Sequence, residues 1–374
     1  MSKARTIANL GGGVPDPFNP VAVTGATPSL DVGSYNFFNN GTIAANTTVS
    51  FTNVPTNANW KYSFKGGIET SYTISSAAVE NTFNVATLVP SLREARVSSD
   101  GTKLYILCAL NKRVLQYTLT KPYSLELAVY ANKLVYVSSE ATGPRGMDFK
   151  TDGTAMYIAC HSTDKIYQYT LSTAWDVSTA TFAQKEVSLS GTLSEVQAVT
   201  FKPDGTSMYA CGPTDHEIRQ YTLSTAWDVS TASYANKTKD TNSEDNQPKG
   251  IQFNGDGTEL FMAGDTTNSV YKYDLSTAYD VSTATFTAGN YVPVSIYPDN
   301  TQGLAFDPDG SRMYISDDNS DTVTEWRIGD YYSVTLPSSV ENSTTKAIYN
   351  NRVTYDFLTM DGGTTVTLIA EEVV

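Results

Sequence analysis

The chain has 374 residues, 40% of them apolar, and carries 39 acidic against 25 basic side chains for a formal charge of −14. That balance argues against nucleic acid or an anionic membrane as partner, because phosphate binding needs clustered Lys and Arg. No apolar run approaches the length of a bilayer span, and Met1–Leu10 lacks the apolar core of a secretory signal.

In chain order, residues 1–20 are rich in Gly, Pro and Asn and read as an extended arm, with Arg5, Leu10 and Phe18 as candidate anchoring residues. Alternating runs follow at Thr47–Asn53, Asn59–Phe64 and Glu69–Ile74. From about residue 79 to 328 one unit is written five times: an Asp-Gly pair begins at Asp100, Asp152, Asp204, Asp256 and Asp309, with spacings of 52, 52, 52 and 53. A fixed period near 50 implies a propeller or solenoid. Asp-Gly between two short apolar runs predicts a hairpin in which both turn residues take positive φ. A third run alternates, as in Ile166–Leu171, with the period of a half-buried strand, and a fourth begins near Thr181. Four short antiparallel strands per unit and no long helix give a five-bladed β-propeller.

The fifth unit supplies only three strands, ending at Ile328. The segment Asn81–Leu88 is the candidate for its fourth, which would close the ring and remove two unpaired edges. Beyond the ring lie Tyr331–Leu336, Arg352–Leu358 and Thr364–Ile369. Three strands per flank bury too little surface alone. The expected architecture is therefore all-β: an arm (1–20), a β-sandwich split between 21–78 and 329–374, and a propeller (79–328) inserted into it. Cys108, Cys160 and Cys211 fall at equivalent second-strand positions, in different blades and too far apart for a disulfide. They read as inert core thiols of a chain made in a reducing compartment.

Several segments resemble repeat-bearing virion proteins of marine bacteriophages: the box Tyr169–Ala180 and its copy Tyr221–Ala232, the hairpin Phe201–Tyr209, Ser29–Thr42, and the ending Arg352–Ile369. The opening Met1–Leu10 is similar to the start of phage tail-fibre and tail-associated proteins. The resemblance implies a non-enzymatic structural component of the virion, made in the host cytoplasm, with other virion proteins and a host-surface glycan or protein as partners, and a symmetric homo-oligomer. The second reading is a bacterial surface or secreted propeller that binds or cleaves carbohydrate. The first unit departs from the pattern, with Lys121–Glu126 in place of Ser-Thr-Ala-Trp-Asp-Val.

Residues with chemistry are few. The turn aspartates Asp152, Asp204, Asp256 and Asp309 are explained by their hairpins, and Asp176, Asp228 and Asp280 by capping of the connection after the third strand. Tyr123, Trp175, Trp227 and Tyr279 recur at one position and read as structural staples ahead of sugar-stacking rings. Two histidines, one per loop, cannot assemble a zinc site, and the acidic loop 316–322 lacks the spacing of a calcium loop. No cofactor or metal is expected. The loops between second and third strands vary while the scaffold repeats, which makes His161, Asp164, Asp215, His216, Thr267, Asn268, Asp318 and Asn319 the candidate interaction residues.

Overall fold

The structure is a computed structural model that describes residues 21–22, 27–33, 37–42, 47–65, 72–294, 300–328, 333–336, 339–341, 346–347, 352–359 and 366–373; Arg5, Leu10 and Phe18 lie outside the described residues. It divides into two compact units, Tyr72–Gly329 and the pair of flanks Met1–Ser71 with Asp330–Val374.

The larger unit is a five-bladed β-propeller. Blade one comprises Leu92–Val97, Lys103–Cys108, Arg113–Leu119 and Ala128–Tyr136, all antiparallel neighbours. Blades two, three and four repeat it from Pro144 to Ser188, Ala198 to Asp240 and Pro248 to Pro293. Blade five takes Thr301–Phe306, Arg312–Asp317 and Thr322–Arg327 from its own repeat and Ala78–Asn84 from upstream of blade one. The ring thus closes by antiparallel pairing from Thr322 with Asn84 to Arg327 with Ala78. The closing strand starts three residues before the segment expected from the sequence, and 85–88 turns away from it.

Two local expectations need correction. In each Asp-Gly hairpin only the glycine takes positive φ, +70° at Gly101, +72° at Gly153, +73° at Gly205, +76° at Gly257 and +69° at Gly310. The Gly153 N–H bonds Lys150 O at 2.8 Å, so the turn is a four-residue loop closed by a left-handed glycine. The Asp152 carboxylate accepts from the N–H and hydroxyl of Thr154 at 2.9 and 2.6 Å, which fixes the loop from outside. The half-buried alternation belongs to the fourth strand, as in Ala180–Ser188, whereas the third strand is mostly buried. Inner strands face a neighbouring blade on both sides, and the outermost one meets water.

Adjacent blades are joined by a repeated device. Five aromatics, Tyr72, Tyr123, Trp175, Trp227 and Tyr279, sit at positive φ between 56° and 65°. Each N–H bonds the carbonyl of a turn glycine, as Trp227 to Gly205 at 3.0 Å and Tyr72 to Gly310 at 2.9 Å. Tyr105, Tyr157 and Tyr209 then donate their hydroxyls across the blade boundary to the carbonyls of Trp175, Trp227 and Tyr279 at 2.7–2.8 Å. Gln116, Gln168 and Gln220 accept from Val177, Val229 and Val281. Lys133, Lys185 and Lys237 pair with Asp176, Asp228 and Asp280 at 2.5–2.7 Å. Those aspartates also cap the short 3-10 turns through the N–H groups of Ser178, Ser230 and Ser282, as the sequence implied.

The departure in blade one is visible here. Tyr314 reaches Tyr123 O at 2.5 Å, and Glu325 replaces the glutamine, accepting from Leu125 N–H at 2.8 Å and from Arg312 Nε at 2.8 Å. At the remaining boundary Phe261 stacks on Tyr72 with ring centroids 5.6 Å apart.

In the other unit both flanks share one six-stranded sheet, in the order Val21–Ala22, Phe37–Thr42, Ala58–Lys65, Arg352–Thr359, Val366–Val373 and Val340–Glu341. Its central pairing, Ala58–Lys65 against Arg352–Thr359, is antiparallel and joins the two ends of the chain. The core gathers Leu30, Phe38, Tyr62 and Val366 around Trp60 stacked on Phe357 at 5.5 Å. Of the expected strand Glu69–Ile74, residues 69–71 lie outside the described residues, Tyr72 and Thr73 are not in a strand, and Ile74–Ser76 forms a 3-10 turn. Cys108, Cys160 and Cys211 are buried and unbridged.

The staple makes a quantitative expectation. A Cβ on Gly205 would lie 2.4 Å from the Trp227 ring, whereas one on Gly191, also at positive φ, meets nothing within 4 Å. Gly191→Ala should cost only the left-handed backbone term, about 1–2 kcal/mol. Gly205→Ala should cost distinctly more, read as a larger fall in urea midpoint at unchanged slope. Equal losses would show that the ring is not held against the turn.

Candidate functional site

The five first strands line the propeller axis, and the repeat gives each axial level one residue per blade. One level holds Arg93, Arg145, Gln197, Lys249 and Gln302; the next holds Glu94, Gly146, Ala198, Gly250 and Gly303; a third, towards the Asp-Gly turns, holds Arg96, Asp148, Thr200, Gln252 and Ala305. The middle level is crowded to the backbone. A Cβ on Gly146 would stand 2.5 Å from Gln197 O, and one on Gly250 2.6 Å from Leu304 N.

Glu94 is the exception in that level. Its side chain is 1% exposed and fills the space that small residues leave, so that a Cβ on Gly303 would lie 2.5 Å from Glu94 Oε1. Burial pushes its carboxyl up to about 8, against the pull of Arg96. Its Oε1 stands 3.5 Å from Arg96 Nη1.

On one side of this constriction the pairing register slips in four blades, between Leu92 and Glu94, Pro144 and Gly146, Pro248 and Gly250, and Thr301 and Leu304. Arg93, Arg145, Lys249 and Gln302 sit in these bulges, which re-aim a side chain out of the regular alternation. They converge on a cavity of about 270 Å³, walled also by Gln197, His161, Glu195, Asp265 and Asp318. Three cations thus share one mouth of an acidic protein.

Two of them are partnered: Arg93 Nη1 lies 2.6 Å from Asp318 Oδ2, and Lys249 Nζ 3.8 Å from Asp265 Oδ2. Arg145 has no ion-pair partner among the described residues, and its buried Nε makes no hydrogen bond. Burial lowers the pKa of Arg93, and Arg145 lowers it further. Lys249 is also drawn down by burial, with Asp265 opposing and Arg145 adding to the shift. An anion entering the cavity would relieve both the unpaired guanidinium and this mutual repulsion.

Facing the cations is a His–carboxylate pair. His161 Nε2 lies 3.4 Å from Glu195 Oε1, and Thr214 donates to Glu195 Oε2 at 2.6 Å. That hydrogen bond is the main cause holding the Glu195 carboxyl below its ordinary value. Glu195 orients the ring so that Nε2 carries the proton and Nδ1 is left to accept one.

Of the loop residues singled out in the sequence, His161 and Asp318 line this cavity. The others hold the scaffold or stand apart from it. Asp164 accepts from Glu195 N–H at 2.7 Å, Asp215 from Ser194 N–H at 2.7 Å and from Arg219 Nη2 at 3.3 Å. His216 Nδ1 lies 2.7 Å from Asn246 O, Thr267 bonds Asp245, and Asn268 accepts from Thr301. Asp164, His216 and Asn268 are equivalent positions at φ 50°, 55° and 48°, so their variety reflects residues that tolerate a left-handed turn. Asn319 is exposed at its loop tip. Sequence reasoning missed Arg93, Arg145, Glu195 and Lys249. The available signal was the column of cations one residue before Glu94, Gly146 and Gly250, hidden by reading that run as strand core.

A family model described as "Lactonase, 7-bladed beta-propeller" matches residues 93–279, half of the chain. The chain belongs to this lactonase propeller family, and it closes its ring with five blades where the family description gives seven. No curated protein sequence matches it. Among solved structures it is similar to a periplasmic gluconolactonase of Pseudomonas aeruginosa at 16% identity, covering 54% of each chain with a TM-score of 0.38. A putative 6-phosphogluconolactonase of Bacteroides fragilis is 16% identical over 54% of this chain and 55% of that one, with a TM-score of 0.38. The propeller domain of a Myceliophthora thermophila Cps50 (Swd1) protein is 9% identical over 67% and 99%, with a TM-score of 0.41. The chain spans about half the length of the two bacterial proteins.

The family match overturns the expectation of a non-enzymatic bacteriophage virion component, and with it the tail-fibre role and the virion location. The second reading, a bacterial propeller that binds or cleaves carbohydrate, is the one the match favours. The repeat boxes that carried the phage resemblance are the inter-blade staples themselves, and a staple required by ring geometry says nothing about where a propeller works.

The axial carboxyl makes a pH expectation. The folded state keeps a proton on Glu94 up to about pH 8, which the unfolded chain releases near its ordinary value of 4.5. Stability therefore falls as pH rises between those values. Glu94→Gln should flatten that part of the curve of melting temperature against pH relative to wild type. Parallel curves for the two proteins would place the titration elsewhere.

Proposed function

We propose that this propeller hydrolyses lactones of acidic sugars at the cationic mouth of its axial channel. The observation that carries the reading is Arg145, a guanidinium without a counter-ion among the described residues, in a cavity that also holds the His161–Glu195 pair. Membership of the lactonase family supports the reaction class. The cations support an anionic substituent on the substrate, a carboxylate or phosphate, because a bidentate anion satisfies a guanidinium fork.

Lactone hydrolysis needs a water made nucleophilic and a place for the negative charge that develops on the carbonyl oxygen. His161 takes the proton of the attacking water on Nδ1 while Glu195 stabilises the imidazolium through Nε2. The water oxygen bonds the lactone carbonyl carbon, and the tetrahedral oxyanion is stabilised by Lys249 or Arg93 at the cavity wall. On collapse the ring C–O bond breaks, and the leaving alkoxide receives the proton from His161. The product is an open-chain hydroxy acid, a dianion when the substrate already carries one charge. Asp318 and Asp265 temper the cationic field so that this product can leave.

The test is pH-stat hydrolysis of 6-phosphogluconolactone and of neutral gluconolactone, each corrected for spontaneous opening. Wild type should favour the phosphorylated lactone. His161→Ala should lower kcat by about 10²–10⁴-fold, the range of a general base. Arg145→Ala should raise KM for the phosphorylated substrate about tenfold or more and leave the neutral one little changed. Spontaneous rates for both lactones with folded wild type would overturn the proposal.

A further inference from the structure

The opposite mouth of the axis, beyond Glu94, has a chemistry the lactonase reading does not use. At the level after Arg96, Asp148, Thr200, Gln252 and Ala305 the blades place Val97, Phe149, Phe201, Phe253 and Phe306. Four phenylalanines of this level, buried between blades to 6–8% exposure, reach the opening with one edge, and each leans on a staple aromatic: Phe149 on Trp175 at 5.6 Å, Phe201 on Trp227 and Phe253 on Tyr279 at 5.4 Å, Phe306 on Tyr72 at 5.6 Å. The collar encloses a lobe of about 310 Å³ reached by Tyr72, Trp227 and Tyr279, and an adjoining lobe of about 170 Å³ reached by Tyr123 and Trp175. The larger lobe is at the lower end of small-molecule sites, about 300–1,000 Å³.

Both lobes share the floor residues Arg96 and Asp148. Arg96 is 6% exposed. Its Nε donates to Met147 O at 2.9 Å and its Nη1 to Leu304 O, which fixes the guanidinium plane. Its Nη2 is buried with no hydrogen-bond partner among the described residues. Asp148 stands beside it, Oδ1 at 3.8 Å from Arg96 Nε, with 20% of its side chain exposed. An unused donor and a carboxylate acceptor thus lie side by side beneath aromatic walls.

We infer that this mouth is a second binding site, for a neutral pyranose of a sugar or short glycan, with its apolar face against the phenylalanine collar, one hydroxyl accepting from Arg96 Nη2 and its neighbour donating to Asp148. Vicinal hydroxyls match the donor–acceptor pair. Asp148 on the floor disfavours an anion, and Arg96 beside it disfavours a cation. An apolar ligand would leave the Arg96 donor unpaired, the costly outcome for a buried polar group. The aromatics thus serve both readings weighed in the sequence, as staples over the glycine turns and as part of a sugar wall.

The test is titration of the full chain with cellobiose, maltose and glucose, followed by the fluorescence of Trp175 and Trp227 and by calorimetry, with tetramethylammonium and sulfate as cationic and anionic probes. Saturable binding of at least one saccharide, retained in Arg145→Ala, is expected. Arg96→Met should weaken it tenfold or more. Since Arg96 also braces two strands, Thr151→Trp, at an exposed turn position on the rim, provides a variant that blocks entry without touching the floor. It should abolish binding at an unchanged melting temperature. No saccharide response, a response that Thr151→Trp leaves intact, or binding of tetramethylammonium or sulfate instead would overturn the inference. Loss of lactone hydrolysis alone would not bear on it.

Discussion

The propeller depends on an aromatic ring seated over a glycine turn. A bulky residue at positive φ is strained, by about 1–3 kcal/mol on general grounds, and this chain accepts that strain five times, at Tyr72, Tyr123, Trp175, Trp227 and Tyr279. The conformation turns the aromatic back across its own hairpin, where only glycine leaves room. It also presents the aromatic's carbonyl outward, to a tyrosine hydroxyl of the preceding blade in four of the five copies. Strain within a blade thereby becomes a bond between blades. Asp176, Asp228 and Asp280 follow in sequence because the chain, once turned, must be capped and tied down by a lysine of the neighbour.

Ring closure follows from the same unit. The chain begins its propeller with the second half of a blade: Tyr72 on the Gly310 turn, the 3-10 turn Ile74–Ser76, then the strand Ala78–Asn84. What returns to blade five is therefore a whole docking module and not an isolated strand. The six ladder pairs of this strand are non-local by more than 230 residues, so the last and first repeats cannot separate without breaking hydrogen bonds along an entire edge.

Much of this was legible in the sequence because it repeats. The five Asp-Gly pairs, the missing fourth strand and the capping aspartates all report on a geometry each blade must satisfy. The site was less legible for the opposite reason. Arg93, Arg145 and Lys249 occupy one column, but they reach the axis only because a bulge displaces them, and a bulge leaves no mark in hydrophobic periodicity. Glu195 lies in a connection between blades, at φ 55°, and has no counterpart to compare. Loop variability pointed to His161 and Asp318, and equally to Asp164, His216 and Asn268, whose side chains vary because several residues accept a left-handed turn. Variation alone could not separate a ligand contact from a permissive hinge.

Five first strands around one axis leave little space at their centre, and that is what gives the molecule two chemically distinct mouths. Where Gly146, Ala198, Gly250 and Gly303 bring backbones together, one side chain suffices to fill the remaining gap, and blade one supplies Glu94. On one side of it the bulged cations gather, their repulsion held in check by Asp318 and Asp265. On the other side Arg96 is turned away from them and committed to the carbonyls of Met147 and Leu304. A carboxyl placed between Arg93 and Arg96 in sequence separates charges that would otherwise meet in a narrow, poorly solvated channel. Because burial pushes Glu94 up to about 8, it performs that separation near neutral pH mainly as an uncharged, space-filling plug, and each mouth keeps the polarity set by its own ring of side chains.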